Sequence, residues 1–249
     1  MRPHKTEAII LHTVSARERD KMVVFLTPLE GKMKGWAYGA RGIKSRFGAG
    51  LEPLSKVMIG YIEKENEEVV RIESLDLLRS LFPAQQVLVT SISATYIAEL
   101  VDTFAQAHDP SELIYRLLDR TTEALLGGSA PMAVVTYAEI WILRLAGILA
   151  SMRNCMECDG PLERPLRFDS TRHGFICPSC ATRDAPILDN EVAAALDSLF
   201  RLPVGDFAEQ RVPDRVLFEI RALAGSVRRD FLGHELKSFD ILAGVIGAR

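Results

Sequence analysis

Four cysteines fall within 26 residues, as Cys155-x2-Cys158, eighteen intervening residues, then Cys177-x2-Cys180. Two thiolates on each of two tight turns can converge on one tetrahedral ion. Four of them close its coordination sphere, so the chemistry expected is one structural Zn2+ rather than a catalytic metal. Gly160-Pro161 and Pro178-Ser179 supply the turns. Two disulfides or four free thiols are the competing readings. Met1–Lys5 leads into a strand-like apolar run rather than an export signal, and reducing compartments disfavour disulfides, which supports the metal. His173, between the pairs, is expected to face solvent and not to be a ligand.

A second constellation lies near the start of the chain. Lys32, Lys34, Trp36 and Tyr38 alternate along one strand and so share a face, with Met33, Gly35 and Ala37 on the other. Two cations with two flat rings suit single-stranded nucleic acid, because the cations follow phosphates while the rings stack on bases of any sequence. Arg17, Arg19 and Lys21 on the preceding connection, and Arg41, Lys44 and Arg46 on a glycine-rich loop, are expected to flank the same groove. The plainer alternative makes the rings core and the lysines a solvated face. Net charge hides this feature: the chain of 249 residues carries −3, yet residues 1–50 hold ten Lys/Arg against four acids, leaving the acidic excess to the remainder.

The elements that must position these groups follow from periodicity. Glu7–Thr13, Lys21–Pro28, Lys32–Tyr38, Leu54–Glu63 and Glu67–Glu73 read as five short strands, which suit a small closed barrel because closure removes exposed edges. Beyond a connector at Ser74–Pro83 the period changes to that of helices, over Gln85–Ala107, Ser111–Leu126, Met132–Ala150, Asn190–Leu202 and Pro213–Leu232. The expected architecture is multi-domain α+β: an OB-fold barrel over residues 1–80, then a mainly helical domain over 81–249 carrying a zinc-binding insert at 151–183. Met132–Met152 is apolar, but Glu139 and Arg144 lie inside it, so it is read as a core helix and not a membrane span. A cytoplasmic chain is expected.

Catalytic signatures are missing from the sequence. Gly31-Lys32 has no upstream glycine and no following Ser/Thr, so it is no Walker-type phosphate cradle, and the five histidines are scattered without partners at motif spacing. The expectation is a binding protein and not an enzyme.

The order of parts resembles the RecO family of bacterial recombination mediator and DNA repair proteins. The resemblance is carried by T-E-A-I-I-L (Thr6–Leu11), F-L-T-P (Phe25–Pro28), and G-K-x4-A-x-G-A-R (Gly31, Lys32, Ala37, Gly39, Ala40, Arg41). K-S-R-x4-L-x-P (Lys44 to Leu51 and Pro53) and the interrupted helical bundle extend it over essentially the whole chain. Two departures are Leu54, where an aromatic residue is common, and Tyr38, where a basic one is expected. The resemblance implies binding of single- and double-stranded DNA and annealing of complementary strands. It also implies action with RecR, in some organisms with RecF, to load the RecA recombinase onto DNA coated by single-stranded-DNA-binding protein (SSB), whose acidic C-terminal tail is recognised. It places the protein in the cytoplasm, associated with the nucleoid. The rival is a zinc-containing assembly scaffold that does not touch DNA directly.

Overall fold

The computed structural model describes residues 2–16, 18–42, 45–64, 67–181 and 185–246. Strands β1 (Arg2–Ser15), β2 (Lys21–Thr27), β3 (Gly31–Ala37), β4 (Lys56–Glu63) and β5 (Val69–Arg79) close into a barrel of order β1-β2-β3-β5-β4. Ala8, Ile10, Val23, Phe25, Met33, Ala37, Val57, Ile59, Val70 and Ile72 belong to its buried interior cluster. With the interior filled by side chains, alternate residues must point outward.

Closure depends on one parallel pairing, Lys34↔Val69, Gly35↔Val70 and Trp36↔Arg71. Gly35 permits it, since a Cβ there would stand 2.8 Å from Ile72 Cγ1. The first residues of β3 find another partner: Lys32 N–H donates to the Gln106 carbonyl and His108 N–H to the Lys32 carbonyl, each at 3.2 Å. Gly31 is required on two counts, a φ of +63° and a Cβ position only 2.0 Å from the Asp109 carbonyl oxygen.

Two strands outrun the hydrophobic pattern. β1 begins at Arg2 instead of Glu7 because it pairs with β4 from Arg2↔Glu63 to Ile9↔Lys56. β5 runs through the expected connector to Arg79, its ladder with β4 carried past bulges at Gly60/Tyr61 and Lys56/Val57. Backbone pairing sets these ends: the start of β1 is mostly polar, and the end of β5 exposes Asp76, Leu77 and Leu78 in a row, so neither has an alternation to read.

Three helices follow, α1 (Phe82–Gln85), α2 (Leu88–Phe104) and α3 (Glu112–Leu126). α2 packs on β1, and α3 packs on β1 and β2. Ile9, Leu11 and Leu26 lie outside the barrel's interior cluster yet are buried. An ionic clamp secures α3. Lys56 Nζ on β4 lies 3.0 Å from Glu7 and 3.1 Å from Asp119, and Arg79 of β5 pairs with Asp119 and Glu123. Burial disfavours the Lys56 ammonium, but hydrogen bonds to Glu7 and Asp119 outweigh it and raise its pKa above the ordinary lysine value.

The chain divides into two compact units, Met1–Gly128 and Ser129–Arg249, so the change from strand to helix falls within the first. The second holds α4 (Pro131–Leu145), β6 (Arg167–Asp169), β7 (Gly174–Ile176), α5 (Asn190–Arg201), α6 (Val204–Glu209), α7 (Asp214–Leu232) and α8 (Phe239–Ile246). α4 packs on α6 and α7 and is buried along most of its length. It stops at Leu145, short of the expected Ala150, where Gly147 turns the chain at φ +75°. The charge within its apolar run has a partner: Glu139 and Arg228 of α7, both fully buried, form an ion pair. None of the described helices is long and apolar enough to cross a membrane.

Candidate nucleic-acid interface and metal centre

On the outer surface of the barrel, β3 shows the expected alternation. Met33, Gly35 and Ala37 are buried, Lys34 exposed, and Lys32 and Trp36 half-buried; Tyr38, expected as the strand's last residue, lies exposed in the turn just past it. The Trp36 and Tyr38 rings lie nearly parallel, 22° apart with centroids at 6.2 Å. Met22 of β2 stands opposite Trp36 on one side, and Arg71 of β5 on the other.

The two flanking segments are tied together at this end of β3. Arg41 N–H donates to the Arg19 carbonyl at 3.0 Å, and Gly39 N–H donates to the Asp20 carboxylate at 2.9 Å. Arg19, Arg41 and Arg46 are exposed, Lys21 is half-buried, and the Arg46 guanidinium rests 5.0 Å from the Phe47 ring centroid. Among the described residues, none of Arg19, Lys21, Lys34 and Arg46 is within ion-pair distance of a carboxylate. Arg17 and Lys44 lie outside the described residues.

Lys32 is different. Its Nζ lies 3.3 Å from the Asp102 carboxylate of α2 and also donates to the Asp102 carbonyl, while His12 Nε2 approaches the same carboxylate at 3.1 Å. Its charge ties α2 to the barrel. The residue that sequence reasoning missed is Arg71, whose guanidinium carbon lies 5.6 Å from the Tyr38 ring centroid and whose Nε pairs with Glu73 at 2.6 Å. Nothing local marks it, because its place beside Trp36 comes from a pairing of strands far apart in sequence.

The four cysteine Sγ atoms all lie within 4.8 Å of one another. Cys158 and Cys177 are 3.9 Å apart, too far for a disulfide and close to the ~3.8 Å edge of a tetrahedron with metal–sulfur bonds of about 2.3 Å. Two knuckles and a hairpin make this geometry. Cys155 N–H donates to the Gly160 carbonyl at 2.7 Å, Cys180 N–H donates to the Cys177 carbonyl at 3.1 Å, and Cys177 directly follows β7. Gly174 of β7 packs so closely that a Cβ would meet Met156 Sδ at 2.5 Å.

The electrostatics favour at least one thiolate without help. Burial pushes the Cys155 thiol up, but backbone donors at Cys177, Cys158 and Glu157 prevail and bring its pKa down to about 6. Cys180 is pushed up to about 12 by its hydrogen bonds to the Cys177 and Cys158 sulfurs. A cation would relieve that opposition, since all four sulfurs can bind it as thiolates. The donor set and spacing fit one ion. His173 stays outside it, its Nε2 3.4 Å from Asp230.

A third feature is a cavity of about 480 Å³ within the second unit. Trp141, Phe200 and Met152 give it apolar walls, with Arg144, Arg153 and Arg201 about them and Asp197 beside. Trp141 is fixed by an N–H bond to the Leu199 carbonyl at 3.3 Å, and Arg144 lies 5.6 Å from the Phe200 ring centroid.

Comparison with known proteins places these features in a family. Residues 1–81 match the model for the recombination protein O N terminal, and residues 85–239 match that for its C terminal. The chain is similar to the DNA repair protein RecO of Koribacter versatilis, 31% identical over 96% of this chain and 97% of that protein. Similarity to the DNA repair protein RecO of Myxococcus xanthus is 30% identity over 98% and 99% of the two chains. The chain belongs to the RecO family of DNA repair proteins, and its barrel is the OB-fold of that family.

Proposed function

We propose that this RecO-family chain binds single- and double-stranded DNA through the outer face of its barrel and anneals complementary strands. The observation that carries the reading is the face itself: exposed Lys34 beside the stacked Trp36 and Tyr38, with a backbone bond joining exposed Arg19 and Arg41 of the two flanking segments, the second of which also carries exposed Arg46. Half-buried Lys21, beside Arg19, extends it. Lys32, its charge largely met by Asp102, serves to position α2 on the barrel more than to bind phosphate.

Annealing needs no covalent step. Two phosphate backbones repel each other, and a cationic face that neutralises one lets the second approach until base pairing takes over. The reading therefore involves no catalytic residue. One Zn2+ held by Cys155, Cys158, Cys177 and Cys180 would fix the two cysteine turns and the β6–β7 hairpin in one shape, a structural duty suited to four thiolates with no open position.

As a cytoplasmic mediator, the protein would work with RecR, and in some organisms RecF, to help RecA displace SSB. An acidic SSB tail needs cations around an apolar floor, and the cavity edged by Arg144, Arg153 and Arg201 offers that combination. The test is annealing of complementary oligonucleotides across a salt series, bare and coated with SSB. The expected result is annealing that falls steeply with salt and survives the SSB coat. Annealing no faster than the protein-free rate at low salt would overturn the reading.

A further inference from the structure

We infer that Trp36, Tyr38 and Arg71 form a stacking ladder that makes this barrel favour single strands over duplexes. The inference rests on the DNA-binding reading above and assigns the ladder a part that cations cannot play. Phosphate-pairing groups such as Lys34 serve both forms of DNA, since each presents a backbone. Flat surfaces do not. In a duplex each base face is covered by its neighbours, whereas an open strand can lay a base on a ring.

The geometry supports a ladder instead of two rings that merely share a surface. Trp36 lies on β3 and Tyr38 at the turn directly after it, two residues on, and their planes differ by only 22° with centroids 6.2 Å apart. Arg71 continues the series from the neighbouring strand. It is in register with Trp36, exposed, and has its guanidinium carbon 5.6 Å from the Tyr38 ring centroid. Glu73, 2.6 Å from its Nε, offsets much of its charge and holds its orientation, which leaves the guanidinium plane as its main offering. The occupant is a nucleic acid because Lys34 precedes Trp36 along the same outer row, with Arg19 and Arg41 joined by a backbone bond beyond the other end of the strand.

The chain has two tryptophans, so Trp141→Phe leaves Trp36 as the sole indole reporter. Its emission is titrated with an oligothymidine and with a duplex of equal length, while anisotropy of labelled DNA follows binding independently. Saturable quenching by the single strand and little by the duplex is expected. In the otherwise unaltered chain, Tyr38→Leu and Arg71→Met should each weaken single-strand binding roughly ten-fold and duplex binding less than two-fold, with the slope of affinity against salt unchanged. Tyr38 and Arg71 are exposed, so these variants should keep their fold, which a thermal melt checks.

Equal losses for both DNA forms, or binding without Trp36 quenching, would overturn the ladder and leave the cationic face standing. If neither DNA form binds the unaltered chain at low salt, the DNA-binding reading fails and the ladder with it.

Discussion

The barrel and the metal knuckle reach fixed geometry by opposite routes. In the barrel, more than a dozen buried apolar residues from five strands and from the Phe47–Leu51 segment between β3 and β4 fill the interior, and the groups with chemistry to offer stand outside it. In the knuckle the buried cluster is Cys155, Ile176 and Ala185, with Met156, Leu162, Cys177, Cys180 and Ala181 partly buried around it. There the functional atoms are the core. A two-stranded hairpin of three residues per strand cannot hold itself together in water, so an ion bound by the four sulfurs would do there what apolar burial does in the barrel. Function on the barrel can therefore change without loss of fold, whereas in the knuckle the two are the same.

That contrast is open to attack, the largest effect first. Removing metal with a chelator under reducing conditions should unfold the knuckle, because structural zinc contributes on the order of 10 kcal/mol. Hydrogen exchange should show protection lost at the amides of Cys155, Met156 and Cys177, with the barrel strands unchanged. Loss of protection throughout the first unit would break the contrast. Next in size, Phe25→Ala hollows the barrel interior and should cost about 3–5 kcal/mol in denaturant unfolding while metal content per chain stays constant.

A smaller effect sharpens the distinction between positioning and binding within the barrel itself. Lys34→Ala should leave the midpoint of unfolding unchanged and reduce the slope of log affinity against log salt by about 0.7–0.9. Lys32→Ala, on the same strand face, should do the reverse: a loss of about 1 kcal/mol in stability through its bonds to Asp102 and little change in the salt slope.

Much of this was legible in the sequence, and the failures have physical causes. Period-two alternation at Lys32–Tyr38 gave both the buried and the exposed face of β3, because a filled barrel leaves only two directions for a side chain. The cysteine spacing gave the convergence of four sulfurs, since ligand convergence is a local matter of two turns. The strand ends at Arg2 and Arg79 were not legible, because ladder pairing with β4 places them and their side chains carry no pattern. The fate of Lys32 was hidden likewise: Asp102 is seventy residues away in the chain, and only the packing of α2 on the barrel brings its carboxylate to the ammonium. Arg71 was missed because a parallel pairing of β3 with β5 puts it beside Trp36.

The central claim is that the barrel's outer face is a cationic bed for a sugar-phosphate chain. Its most direct test is the affinity of a labelled single strand, followed by anisotropy over a salt series, for the unaltered chain and for a triple variant Arg19→Glu, Lys34→Glu, Arg46→Glu. A steep negative slope in the unaltered chain, abolished binding in the variant and superimposable thermal melts are the predicted result. A variant that binds as tightly as its parent at about 0.1 M salt, where unpaired surface charges still act over roughly 10 Å, would contradict it.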